Sequence, residues 1–334
     1  MCLPLYRRLT ALMLAVLLCT LSVAASAAGY ADLATISQRD ERFATWESRY
    51  RGSTYRSSGC GPSSISNAFI ISLGVTNPDT AKLVTEEVLN LLCYPDKPID
   101  TEIVPGRMIN LNPGHEKWMS RFPTVKELLS AWNVSYIEKV ISPDALALEL
   151  EAPLTAPRLM IGRFSDDYRW QYLYEMSVML RDAGHEDAII TLAHLSAGNL
   201  MSSGAFRSGN AGHFVCLSVP VKEFLEEGAV YLVDSLPRAI DGETYGFEQF
   251  YPIAYDFHGK ESSRGEMKAF IRACQAERVI PTTLRITPKD DALAAITAAR
   301  ESGDQQAVID AYTAYLKTTG LRGVSQGFIA IPAP

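Results

Sequence analysis

The sequence has no run of basic residues: its 31 Lys and Arg are scattered among 38 Asp and Glu, for a formal net charge of −7. Nucleic acids and anionic membrane surfaces reward clustered positive charge, so this balance argues against either as a partner. The acidic excess is just as dispersed and reads as a solvated surface. Long apolar runs are missing beyond the N-terminus, and no later segment approaches the length of a membrane span. Metal-binding motifs are missing too. Among five histidines, His185 and His194 flank an apolar stretch at a spacing that fits no standard ligand pattern, with no cysteine pair nearby. His115 falls in a long loop punctuated by proline and glycine, from Pro95 to His115, and reads as a surface residue. Neither a cofactor nor a metal is implied.

At the N-terminus, Arg7 and Arg8 precede the apolar stretch from Ala11 to Leu18, and Ala25-Ser26-Ala27 supplies a small-residue cleavage site. This is the pattern of a signal peptide. Residues 1–27 are expected to be removed near Ala27, giving a secreted or periplasmic protein without a membrane span. Cys2 and Cys19 leave with that segment, so Cys60, Cys93, Cys216 and Cys274 remain, and with Cys60 as a thiol at most one disulfide can form among the other three. Residues 28–50 are polar and mixed, and read either as a short leader or as an N-terminal helix packed on the domain. They are too few for a typical folded inhibitory prodomain. A chain of 334 residues, 47% hydrophobic, can bury one large core or one large and one small.

The most informative segment runs from Ser57 to Ser66, Ser-Ser-Gly-Cys-Gly-Pro-Ser-Ser-Ile-Ser. Small residues followed by Pro62 pre-set a helix start, and Ile65, Phe69, Ser72 and Leu73 give the following turns a buried face. Cys60 is therefore predicted to stand at a helix N-terminus. The positive end of the macrodipole and the helix's first N–H groups favour the thiolate there, the reactive form of cysteine. Taken alone, Cys60 reads equally as half of a disulfide or as a small core residue.

A histidine far downstream shifts that balance. His213 follows the small, polar approach Phe206 to Gly212 and opens the apolar run Phe214 to Val219, which reads as a central strand. Alternation puts Val215 and Leu217 on the face of His213, with Phe214, Cys216 and Ser218 on the other, so Cys216 is not expected to be catalytic. The next strand, Ala229 to Asp234, ends in an acid before Ser235-Leu236-Pro237. Consecutive strands usually lie side by side, so Asp234 is placed to orient the imidazole. Asp before such a turn is also ordinary turn chemistry.

Taken together, Cys60-Gly61-Pro62-Ser63, Gly212-His213-Phe214-Val215 and Val233-Asp234 resemble the C39-like branch of the papain-like cysteine peptidases. The resemblance covers roughly Tyr50 to Leu236, with gaps. Pro123 to Val134 looks like that family's middle helix and turn, and Arg158 to Gly162 like its strand before the histidine. It implies an α+β, papain-like fold in which a nucleophile helix packs on an antiparallel sheet. It also implies catalytic Cys60, His213 and Asp234 acting on a peptide or protein substrate. One departure stands out. The family carries Gln about six residues before the nucleophile to bind the oxyanion, and here the neighbourhood reads Ser53-Thr54-Tyr55-Arg56. The Cys60 N–H remains an oxyanion candidate, and the Tyr55 hydroxyl is a second one, set against a reading in which Tyr55 simply packs on the following helix. Two other functions stay open: an inactive fold used as an extracellular binding module, and another thioester acyl transfer such as transglutamination.

The remaining segments complete the expected organisation. Phe69 to Leu92 reads helical with a break and cap at Asn77-Pro78-Asp79-Thr80. Residues 163–208 look like an insertion beside the site, with an aromatic-rich helix from Tyr168 to Leu180 and a Gly-, Ser- and Asn-rich half able to act as a lid. The domain itself is expected over residues 51–287. Residues 288–334 read as a C-terminal αα-hairpin and tail, broken at Ser302-Gly303-Asp304. A single such hairpin cannot bury its own apolar face and should dock on the domain, with protein contact through these helices as a further role.

Overall fold

The structure is a computed structural model. It describes residues 33–38, 40–43, 54–55, 59–92, 122–164, 169–196, 214–235, 239–240, 243–244, 253–254, 283–288, 290–318, 321 and 325–333. The expected signal segment, residues 1–27, and Cys93, Cys274, His115, the Gly-rich half of the expected insertion and His213 lie outside these residues. The helices are α1 (Cys60–Ser72), α2 (Pro78–Leu92), α3 (Pro123–Leu129), α4 (Pro143–Leu150), α5 (Arg169–Asp182), α6 (Val221–Glu227), α7 (Asp290–Ser302) and α8 (Gln305–Thr318). The strands are β1 (Asn133–Val140), β2 (Arg158–Phe164), β3 (Ile189–Ser196), β4 (Phe214–Pro220), β5 (Val230–Val233), β6 (Ala239–Ile240), β7 (Glu243–Thr244), β8 (Ile253–Ala254), β9 (Thr283–Ile286) and β10 (Ser325–Ile331).

Helix boundaries follow local chemistry. Gly74 takes a positive φ of 64° after α1, and the Asn77 side chain accepts from the N–H groups of Asp79 and Thr80 at 2.8 and 3.2 Å to open α2. Ser142 caps α4 by accepting from Ala145 N–H at 3.2 Å, with Pro143 at the first helical position. Asp304 caps α8 through the N–H groups of Gln306 and Ala307.

The fold is α+β, built on an eight-stranded mixed sheet ordered β1-β2-β10-β3-β4-β5-β9-β8. Its strands pair antiparallel except β1 with β2, which α4 connects, and β8 with β9. Alternation along the strands feeds two cores. Leu159, Ile161, Cys216, Val233, Phe328 and Ala330 face α1, α2 and α3, while Met160, Phe164, Val215, Leu217, Ile329 and Ile331 face α4 to α8. Each fully buried aliphatic or aromatic side chain contributes about 1.5–3 kcal/mol, so a strand buried on both faces is fixed in register from two sides.

The segment read as an insertion supplies β3, which pairs with β10 and β4 in the middle of the sheet. The run Ala188-Ile189-Ile190-Thr191-Leu192-Ala193 is apolar on both faces, and that is what a central strand requires. The residues after the C-terminal hairpin, read only as a tail, form β10 between β2 and β3. The hairpin itself docks through Ile296, Tyr312 and Leu316. The Tyr312 ring stacks on Tyr174 at 4.7 Å and meets Phe224 edge-on at 5.0 Å, and its hydroxyl donates to the Phe224 carbonyl at 3.2 Å. Its strand and its packing make the C-terminal region part of the same body as the sheet.

Candidate active site

Cys60 is the first residue of α1, a helix whose residues are all buried except Pro62. The helix lies on β3 and β4, reaches β10, and has α2 along its other side. A helix buried all round is normally apolar, yet this one carries four serines and an asparagine. Three of the hydroxyls are satisfied by the helix itself: Ser63, Ser64 and Ser66 donate to the carbonyls of Gly59, Gly61 and Pro62 at 2.7, 2.8 and 3.0 Å.

The turn before Cys60 is built on Tyr55. Its carbonyl accepts from Gly59 N–H at 2.7 Å, and its ring is buried and meets Phe43 edge-on at 5.6 Å. The Tyr55 hydroxyl is 2.6 Å from Ser63 Oγ. Ser63 has one hydroxyl hydrogen, and the Gly59 carbonyl can only accept, so that hydrogen points to Gly59 and the Tyr55 proton points to Ser63. Tyr55 braces the turn that presents Cys60.

Asp234 is buried at the end of β5. The register of β4 with β5 pairs Cys216 with Val233 and Leu217 with Leu232. The start of β4, at Phe214, and the end of β5, at Val233, therefore share one end of the sheet. The sequence puts His213 directly before the first and Asp234 directly after the second. Cys216 and Val233 both lie in the core beneath α1. His213 itself is outside the described residues, so its separation from Cys60 and Asp234 is not part of this geometry.

The two described cysteines differ in setting. Cys216 is fully buried mid-strand, and burial pushes its thiol well above the ordinary range, so it stays protonated and inert. Cys60 keeps 9% of its surface exposed at the edge of the helix. Among the described residues no group of three or more His, Cys, Asp and Glu side chains is placed to hold a metal ion. No described helix is long and apolar enough to cross a membrane.

Reading the sequence did not single out Asn67, Ser37 and Gln38. Asn67 is fully buried on α1 and binds the backbone of Ile36, and Ser37 and Gln38 bind the carbonyl of Ser235, next to Asp234. The available signal was Asn67 itself, a polar residue in the apolar run Ile65 to Ile71. Compared with family models, curated proteins and solved structures, the chain matches none.

Proposed function

We propose that this protein is a secreted cysteine peptidase or amidase of the papain-like, C39-like type, with Cys60 as nucleophile, His213 as base and Asp234 as the group that orients the imidazole. The observation that carries this reading is the position of Cys60 as first residue of a buried helix lying against β4, the strand that begins directly after His213. In this mechanism the Cys60 thiol gives its proton to His213 and the thiolate attacks the carbonyl carbon of a peptide or amide. Negative charge builds on the carbonyl oxygen, and the Cys60 N–H at the helix N-terminus stabilises it. The amine leaves with the proton from His213, and a thioester remains on Sγ. Water, deprotonated by His213, then attacks the thioester, releasing the acid and returning the proton to Cys60. Asp234 holds the imidazole in the tautomer that accepts the thiol proton and stabilises the imidazolium.

Cleavage of a diverse peptide library by the leader-free protein tests this. Turnover that falls about 1000-fold or more in Cys60→Ala and in His213→Ala supports the reading. Absence of cleavage by folded protein leaves the binding-module alternative, and amine incorporation in place of hydrolysis identifies an acyl transferase.

A further inference from the structure

Residues 33–38 form a strap that is buried from Ala34 to Gln38, although four of the six are polar or small: Ala34, Thr35, Ser37 and Gln38. Buried polar backbone must find partners, and here the partners belong to the two elements that frame the candidate site. Ile36 N–H donates to Asn67 Oδ1 at 2.8 Å, and Asn67 Nδ2 donates to the Ile36 carbonyl at 3.1 Å. The side-chain amide thus imitates a neighbouring strand. Asn67 is seven residues beyond Cys60, on the same side of α1 and about 10 Å along its axis. One and two residues further along the strap, the Ser37 hydroxyl and the Gln38 N–H both donate to the Ser235 carbonyl, at 3.1 and 2.9 Å. Upstream, Ala34 N–H donates to the Val75 carbonyl at 3.0 Å, past the far end of α1. Downstream, Arg42 pairs with Glu86 at 2.5 Å and Phe43 packs on Tyr55.

The strap therefore runs antiparallel to the Cys60 helix and ties its middle to the turn that holds Asp234. We infer that residues 33–38 are a permanent positioning element of the site, with Asn67 as its anchor, and that they set the placement of Asp234 relative to the nucleophile helix. The inference rests on the Cys60–His213–Asp234 reading. It also bears on maturation. Removal of a leader near Ala27 leaves the strap intact, whereas a cut after Gln38 would detach Ile36, Ser37 and Gln38 from the chain that carries the site and so release the tether next to Asp234.

The test uses the leader-free protein and two variants. Asn67→Leu keeps the side-chain volume and deletes both bonds to Ile36, and Ser37→Ala deletes one bond to Ser235. Amide exchange at Ile36 and Gln38 is read alongside the iodoacetamide labelling rates of Cys60 and Cys216 at neutral pH. In the wild type both amides are protected, Cys60 labels quickly and Cys216 does not label. In Asn67→Leu the Ile36 amide loses roughly tenfold or more of its protection, and Cys60 labelling slows about three- to tenfold because a displaced Asp234 no longer supports the imidazolium that favours the thiolate. Cys216 stays unlabelled, the readout that a purely structural defect would change, since unfolding exposes both thiols. Ser37→Ala gives the same pattern, smaller in size. An unchanged Cys60 rate in Ser37→Ala together with an unchanged rate, or with labelled Cys216, in Asn67→Leu overturns the inference. Cys60 reacting in the wild type no faster than a simple thiol overturns the catalytic reading instead, and is seen before any substitution is made.

Discussion

Gly59 and Tyr55 occupy nearly the same space: a Cβ on Gly59 would stand 2.4 Å from the Tyr55 carbonyl oxygen and 2.5 Å from its ring. Neither is the flexible end of a side chain. Gly59 N–H also donates to that carbonyl, so the residue before Cys60 is clamped to the residue that braces its turn.

Gly59→Ala should for that reason distort the turn and not merely crowd it. Overpacking a closed site costs about 1–3 kcal/mol. Denaturant melts should show a loss of that size, with Cys60 labelling altered well below the melting region. A variant as stable as the wild type would mean that the turn tolerates a Cβ.

Tyr55→Phe keeps the ring and removes the hydroxyl that donates to Ser63. A buried hydrogen bond of this kind contributes about 1 kcal/mol, so stability should fall by roughly that amount. Ser63 keeps its own bond to Gly59, and the rate of acylation at 25 °C should change by less than about threefold, where loss of an oxyanion donor costs about 100- to 1000-fold. A drop of the larger size with unchanged stability would return Tyr55 to the oxyanion.

His185 supplies a pH dependence. It is partly buried in the turn between α5 and β3, and burial first, with the Arg158 guanidinium second, lowers its pKa from the ordinary 6.5. The folded protein therefore holds fewer protons at this site than the unfolded chain, and stability rises with pH. The contribution is complete above the unfolded value near 6.5 and is lost as the pH falls through the lower folded value. His185→Gln should flatten the part of the stability profile just below pH 6.5. An identical slope in wild type and variant would assign the dependence elsewhere.

The local signals in the sequence were strong where the chemistry is local. Pro62 after small residues marks the start of α1, Asn77-Pro78 marks α2, and period-two alternation puts Cys216 on the face opposite Val215 and Leu217. What alternation could not supply was partnership across the chain. Nothing in Phe328-Ile329-Ala330-Ile331 says that it pairs with both β2 and β3, because the pairing is set by burial on two faces of a strand far away in sequence. The stretch containing β3 reads as an insertion for the same reason. The strap is not legible in the sequence because its polar residues are buried by tertiary hydrogen bonds, and polar composition by itself reads as a solvated leader. The contact of the Tyr55 hydroxyl with Ser63 is likewise visible only in the folded turn.

The most direct measurement is the rate of iodoacetamide alkylation at each cysteine of the leader-free protein at neutral pH, repeated in His213→Ala. With a Cys60–His213 pair, Cys60 is modified at least about tenfold faster than Cys216, Cys93 or Cys274, and loss of the imidazole slows Cys60 by about tenfold or more while the other rates stay the same. Cys60 labelled at an ordinary thiol rate in both proteins, or held in a disulfide in active material, would contradict a thiol nucleophile at this helix.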